Sequence, residues 1–205
     1  MQDGFSKAAI SVLYLMASGF TAVAVGLWMG AEHGWLTHRR IDPLWFAHEA
    51  IFGVLAAVLT GFVYQRARVW SALGPSRGVW LALIGGTWLA GRGAMWMAPG
   101  TLAAAVDCAF LCLTPLPLYR VLKQSHGLKH IVFVELLCLL ALLNFLYHVT
   151  SLGLSSISAR HIVILAAIVS ALLVCLTARS FLANCNAVQC RCGHRGVDKP
   201  KGSTR

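Results

Sequence analysis

The sequence predicts an all-α fold: a polytopic transmembrane bundle of about six helices with both termini on the cytoplasmic side. Three observations predict it. Of 205 residues, 58% are hydrophobic and only 12% are charged, with a mean hydropathy of +0.72. Soluble domains carry roughly 25% charged residues, and no soluble core would hide so much apolar surface. The apolar residues gather into runs of about twenty, enough at ~1.5 Å per residue to cross ~30 Å of hydrocarbon. Finally, the net charge of +10 is concentrated in the links between those runs. Charge placed beside apolar segments marks membrane topology, so the partner it implies is the bilayer, not nucleic acid.

The first helix is expected at about 8–29. Its apolar run is too long for a signal peptide, and no clear small-residue cleavage site follows. A polar loop from Ala31 to Pro43 leads to the second helix, about 44–64, with Pro43 suited to its first turn. Arg66, Arg68 and Arg77 lie in a basic loop broken by Gly74-Pro75. The third helix, about 79–97, contains Arg92, and Pro99-Gly100 turns the chain into the fourth, about 101–118, which contains Asp107. Another basic loop, Arg120 to Lys129, precedes the fifth helix at about 130–148, which holds Glu135 and Asn144. A serine-rich link separates it from the sixth, about 159–178. Residues 1–184 read as one membrane domain, and 185–205 as a basic cytoplasmic tail without fixed structure.

Orientation follows from counting. Lys7, the loops after the second and fourth helices, and the tail hold thirteen of the seventeen basic residues. Only Arg39, Arg40 and Arg160 fall on the other side, and Arg92 lies inside a helix. The positive-inside rule puts the thirteen, and both termini, in the cytoplasm.

This topology gives the ionisable residues a depth. His48 and Glu49 lie about one turn inside the outer face, ~6 Å by helix rise. Arg92, Asp107, His148 and His161 fall at a similar level on four other helices. Ionisable groups inside a membrane usually face a bundle interior or a water-filled cavity and mark functional sites. Glu49, Gly53, Ala57 and Gly61 form a small-residue stripe that permits close helix approach. Asn144 and His148 share a helix face, so the amide is placed to orient the imidazole. The stripe of His48, Phe52, Leu55 and Leu59 is apolar enough to receive a flat ligand or a lipid.

Plainer readings compete. Arg92 and Asp107 suit a buried ion pair between neighbouring helices, and His148 and His161 sit near helix ends where an imidazole is easily wetted. Against these stands metal ligation. Imidazoles from two helices of a bundle are a usual means of holding haem iron, and imidazole also suits copper. His48 with His148 is the preferred axial pair, with His161 in reserve. A carrier or proton-conducting path through the same ionisable side chains is the rival from another class, and an electron-transfer b-type cytochrome is a third.

Weaker patterns remain. His126 and His130 read as a solvated pair, and Cys108 and Cys112 as packing residues. Cys185, Cys190, Cys192 and His194 have a spacing tighter than the usual zinc pattern. No phosphate-binding loop, nucleophile elbow or zinc-protease helix is present, so hydrolase and nucleotide-driven readings lack support.

The segment Asp42-Pro43-Leu44-Trp45-Phe46-Ala47-His48-Glu49, followed by Phe52-Gly53 and Gly61-Phe62, resembles the opening of the NnrS family. The likeness continues through Trp70-Ser71, Gly91-Arg92, Asp107 with Ala109-Phe110, and Asn144-Phe145-Leu146-Tyr147-His148. It spans most of 8–184. The resemblance implies a bacterial inner-membrane protein that binds haem and copper and takes part in the nitric oxide response, without turnover of its own. On that reading His48 and His148 bind haem b. Glu49, Arg92, Asp107 and Asn144 surround it, with Arg92 pairing a propionate. Two departures stand out. The family typically has a further histidine where this chain has Phe46, which puts a second metal site in doubt. The family is also typically about twice as long, so a six-helix chain reads as a short member, a truncated copy, or a half that pairs with itself as a homodimer.

Overall fold

The computed structural model of the chain describes residues 2–36, 41–70, 78–97, 100–124 and 130–195, with side chains omitted at 2–9, 68–70, 78, 124 and 183–195. Among them there is no strand; the fold is all helical. Helix α1 spans Gln2–Glu32, α2 Pro43–His48, and a π-helical stretch Glu49–Leu55 joins α2 to α3, Ala56–Trp70. Then come α4 (Gly78–Met97), α5 (Gly100–Leu113), α6 (Pro115–Gln124), α7 (Ile131–Ser151) and α8 (Ala159–Arg195). Residues 43–70 form one continuous rod, and 100–124 a second that breaks at Thr114.

The sequence explains these elements locally. Asp42 caps α2, its carboxylate accepting the Trp45 N–H at 2.6 Å, and Pro43 occupies the first turn where its missing N–H does no harm. Pro115 and Pro117 cannot donate to the preceding turn, so the second rod breaks there. The Tyr64 hydroxyl donates to the Thr114 carbonyl at 2.5 Å and ties that break to α3.

Among the described residues, five stretches are long and apolar enough to cross a membrane: Ile10–Glu32, Pro43–Ala67, Gly100–Lys123, Ile131–Ser151 and Ala159–Leu182. The sixth rod, α4, is twenty residues long but is not among them. Gly85, Gly86, Gly91, Gly93 and Arg92 dilute its apolar content, and it packs chiefly against α5 and α1. The last helix runs to Arg195, well past 178, because a helix needs only internal hydrogen bonds and persists where hydropathy has already fallen. Arg39, Arg40, Arg77, Lys129, the Gly74-Pro75 and Pro99 breaks, Ser71, His38, His126 and residues 196–205 lie outside the described residues. So do the side chains of Arg68, Trp70, Cys185, Cys190, Cys192 and His194.

Helix adjacency positions the site. Helix α5 touches both α4 and α7, while α1 packs on α3, α4 and the π-helical stretch. At Gly91 a Cβ would stand 3.2 Å from the Asp107 Cα, so α4 and α5 meet backbone to backbone beside Arg92. The small-residue stripe works as anticipated: a Cβ on Gly61 would lie 2.8 Å from the Tyr14 ring of α1, and Ala57 is fully buried. The apolar stripe that begins at His48 is packed at its head. Phe52 is fully buried, its ring 5.1 Å from His48 and 6.2 Å from Tyr147, so α7 already covers that face.

Candidate functional site

Five ionisable side chains and one amide, from the rod 43–70, α4, α5 and α7, converge in the bundle interior. His48, Glu49, Asp107 and Asn144 are at most 1% exposed, and Arg92 and His148 each 6%. Asp107 is the hub. Its Oδ2 accepts from His148 Nε2 at 2.9 Å and from Asn144 Nδ2 at 2.9 Å, and lies 3.5 Å from His48 Nε2. His48 Nε2 donates to Asn144 Oδ1 at 3.0 Å. The amide therefore bridges one imidazole and the carboxylate, as its position one turn before His148 allows.

Arg92 reaches two carboxylates at once. One guanidinium nitrogen donates to Glu49 Oε2, and the other is ion-paired with Asp107 Oδ1. A planar fork with donors at fixed spacing serves two anions in a way that a lysine cannot. The pairing foreseen between Arg92 and Asp107 is thus present, but as part of a larger network.

The π-helical stretch makes room for this network. Hydrogen bonds to the fifth residue instead of the fourth widen the helix and leave carbonyls in need of donors. The Trp88 indole donates to the Gly53 carbonyl at 2.9 Å. A Cβ on Gly53 would lie 2.7 Å from Arg92 Nη1. Gly53→Ala is accordingly expected to push the guanidinium off its carboxylates and destabilise by about 1–3 kcal/mol, as overpacking does. Gly93→Ala, whose Cβ meets only Met97 at 3.8 Å, is expected to leave stability unchanged or higher. Thermal unfolding of the two variants in detergent checks the pair.

His161 stands apart: it is exposed at the start of α8 and does not join the cluster. Glu135 is likewise exposed, on the outside of α7. One contact escaped the sequence reading. Tyr147 stacks on His48 with ring centroids 4.2 Å apart and planes 26° from parallel, fixing the imidazole from α7. Its neighbours Asn144 and His148 pointed to the same helix, but which ring it would meet depended on helix adjacency.

The donor set can be tested against a metal. Nitrogens of His48 and His148 and an oxygen of Asp107 all lie within 4.8 Å of one another. Two imidazoles and a carboxylate suit a borderline transition ion such as copper, zinc or iron. A haem sandwiched between the two histidines fits poorly. The macrocycle needs an open slab between opposed nitrogens, whereas these rings are 5.2 Å apart at 70° and both nitrogens converge on Asp107. His48 and His148, expected from the sequence as an axial pair, here form a compact cluster with the Asp107 carboxylate between them.

Fold and site together define a polytopic helical membrane protein with a buried His/Asp/His cluster. The chain belongs to the NnrS protein family, whose model matches residues 5–185. No curated protein and no solved structure matches it.

Proposed function

We propose that this protein is a metal-binding protein of the bacterial inner membrane, acting in the response to nitric oxide, with a single copper-type ion held by His48, His148 and Asp107. The observation that carries the reading is the convergence of both Nε2 atoms on one carboxylate oxygen. Both termini are cytoplasmic in this reading, and the cluster lies toward the periplasmic face. Binding requires each imidazole to present a bare nitrogen to the ion. On His48 the proton then resides on Nδ1, which faces Glu49 Oε1 at 3.5 Å. Glu49 would hold that proton and orient the ring, as second-layer carboxylates do in metal sites. Arg92 pairs with both carboxylates and fixes them in place. The ion itself would supply the site that a small neutral ligand such as nitric oxide reaches from the lipid.

A second reading keeps haem but moves it. A cavity of about 430 Å³ lies beside His148, lined also by Trp45, Met95 and Tyr147, and it offers a macrocycle one protein ligand instead of two. Purified protein distinguishes the readings. After copper loading and dialysis in detergent, one retained ion per chain is expected; retention of none overturns the copper reading. A Soret band with a reduced α-band that disappears in His148→Ala would establish haem in its place.

A further inference from the structure

A second cavity, of about 400 Å³, lies between α1 and α4. We propose that it binds a lipid-borne aromatic ring bearing a hydroxyl, of the hydroquinone class. Three flat rings, Phe20, Trp45 and Trp96, stand in its otherwise aliphatic wall, and its size falls in the range of small-molecule sites. Its mouth is on the outer surface of the bundle, where Val23 is 54% and Met97 80% exposed, so entry is from the hydrocarbon side.

The polar end carries the inference. Glu49 and Arg92 both line the cavity, and Glu49 Oε1 and Arg92 Nε are buried atoms that make no hydrogen bond. Leaving such atoms unsatisfied away from water is costly. One hydroxyl satisfies both, accepting from the Arg92 Nε–H and donating to Glu49 Oε1. An aliphatic alcohol would make the same bonds without stacking between the rings, and an acyl chain would make neither. Arg92 already stands over the Phe20 ring at 5.9 Å, so the guanidinium belongs to an aromatic wall as well as to the carboxylates. The site does not depend on the metal reading: a carboxylate oxygen has two lone pairs, so Glu49 Oε1, which faces His48 Nδ1 at 3.5 Å, still has one for the hydroxyl.

The test is a titration of tryptophan fluorescence in lipid nanodiscs, kept under argon, with decylhydroquinone and separately with decylbenzene. Saturable binding at least about tenfold tighter for the hydroquinone is expected, the worth of a hydrogen-bonded hydroxyl. Gly93→Leu fills the cavity and is expected to abolish the difference. Val23→Trp, on the exposed rim, blocks the mouth without touching the interior and is expected to do the same. Equal affinity for the two probes would mean an acyl-chain slot whose polar atoms are met by water, and would overturn the proposal. Unchanged hydroquinone binding in both variants would overturn it too. Metal-free protein is expected to bind the probe as well as loaded protein, so failure here and failure of the copper reading are separate results.

Discussion

Arg92→Met is expected to be the most damaging single substitution in the membrane domain, lowering stability by roughly 3–5 kcal/mol. Its guanidinium is shared between Glu49 and Asp107, both at most 1% exposed. Removing it leaves two buried carboxylates without their shared cation, a far greater penalty than the loss of a surface pair. For a chain of this length the change corresponds to a fall of about 10 °C in Tm, read by thermal unfolding in mild detergent. Adding Glu49→Gln and Asp107→Asn to the same chain removes the orphaned charges and is expected to restore most of the loss. Without that recovery, the damage would have to come from lost packing instead. Arg92→Lys should fall between, because an ammonium cannot span both partners.

The second large effect concerns the ion. His48→Ala and His148→Ala are each expected to weaken copper binding at least about a hundredfold, since each removes one of three donors. Asn144→Leu keeps all three donors but releases the amide that bridges His48 and Asp107, and a loss of about 10–100-fold is expected. His161→Ala should leave affinity unchanged. Competition against a chromogenic chelator measures all four. If His161→Ala were as damaging as His148→Ala, the ligand set would be wrong.

The helices were legible because apolar runs of membrane length have no other reading. Their ends were less so: α8 continues to Arg195 on hydrogen bonding alone, and the break at Thr114 depends on Pro115 and Pro117, which an apolar tally passes over. The site was legible as a layer. His48, Glu49, Arg92, Asp107, His148 and His161 were placed at one depth; all but His161 meet, joined by Asn144 from the face of His148. Depth carries no azimuth, however. Nothing in the sequence told His161, exposed at a helix start, from His148 on the inward face, nor revealed Asp107 as the hub between two imidazoles. The π-helical stretch was invisible for a related reason. It arises where Trp88 and Arg92 press on Gly53 from another helix, and residues 49–55 alone carry no mark of that neighbour.

The sharing of one guanidinium by two carboxylates also bears on oxidation state. With neutral imidazoles, Glu49, Asp107 and Arg92 together carry one uncompensated negative charge. In a surrounding of low dielectric constant, net charge of either sign is penalised, so an ion held as proposed would be best balanced in its univalent form. A metal that alternates between univalent and divalent forms would be biased here toward the univalent one. Its reduction potential would then stand above that of the same donors in water.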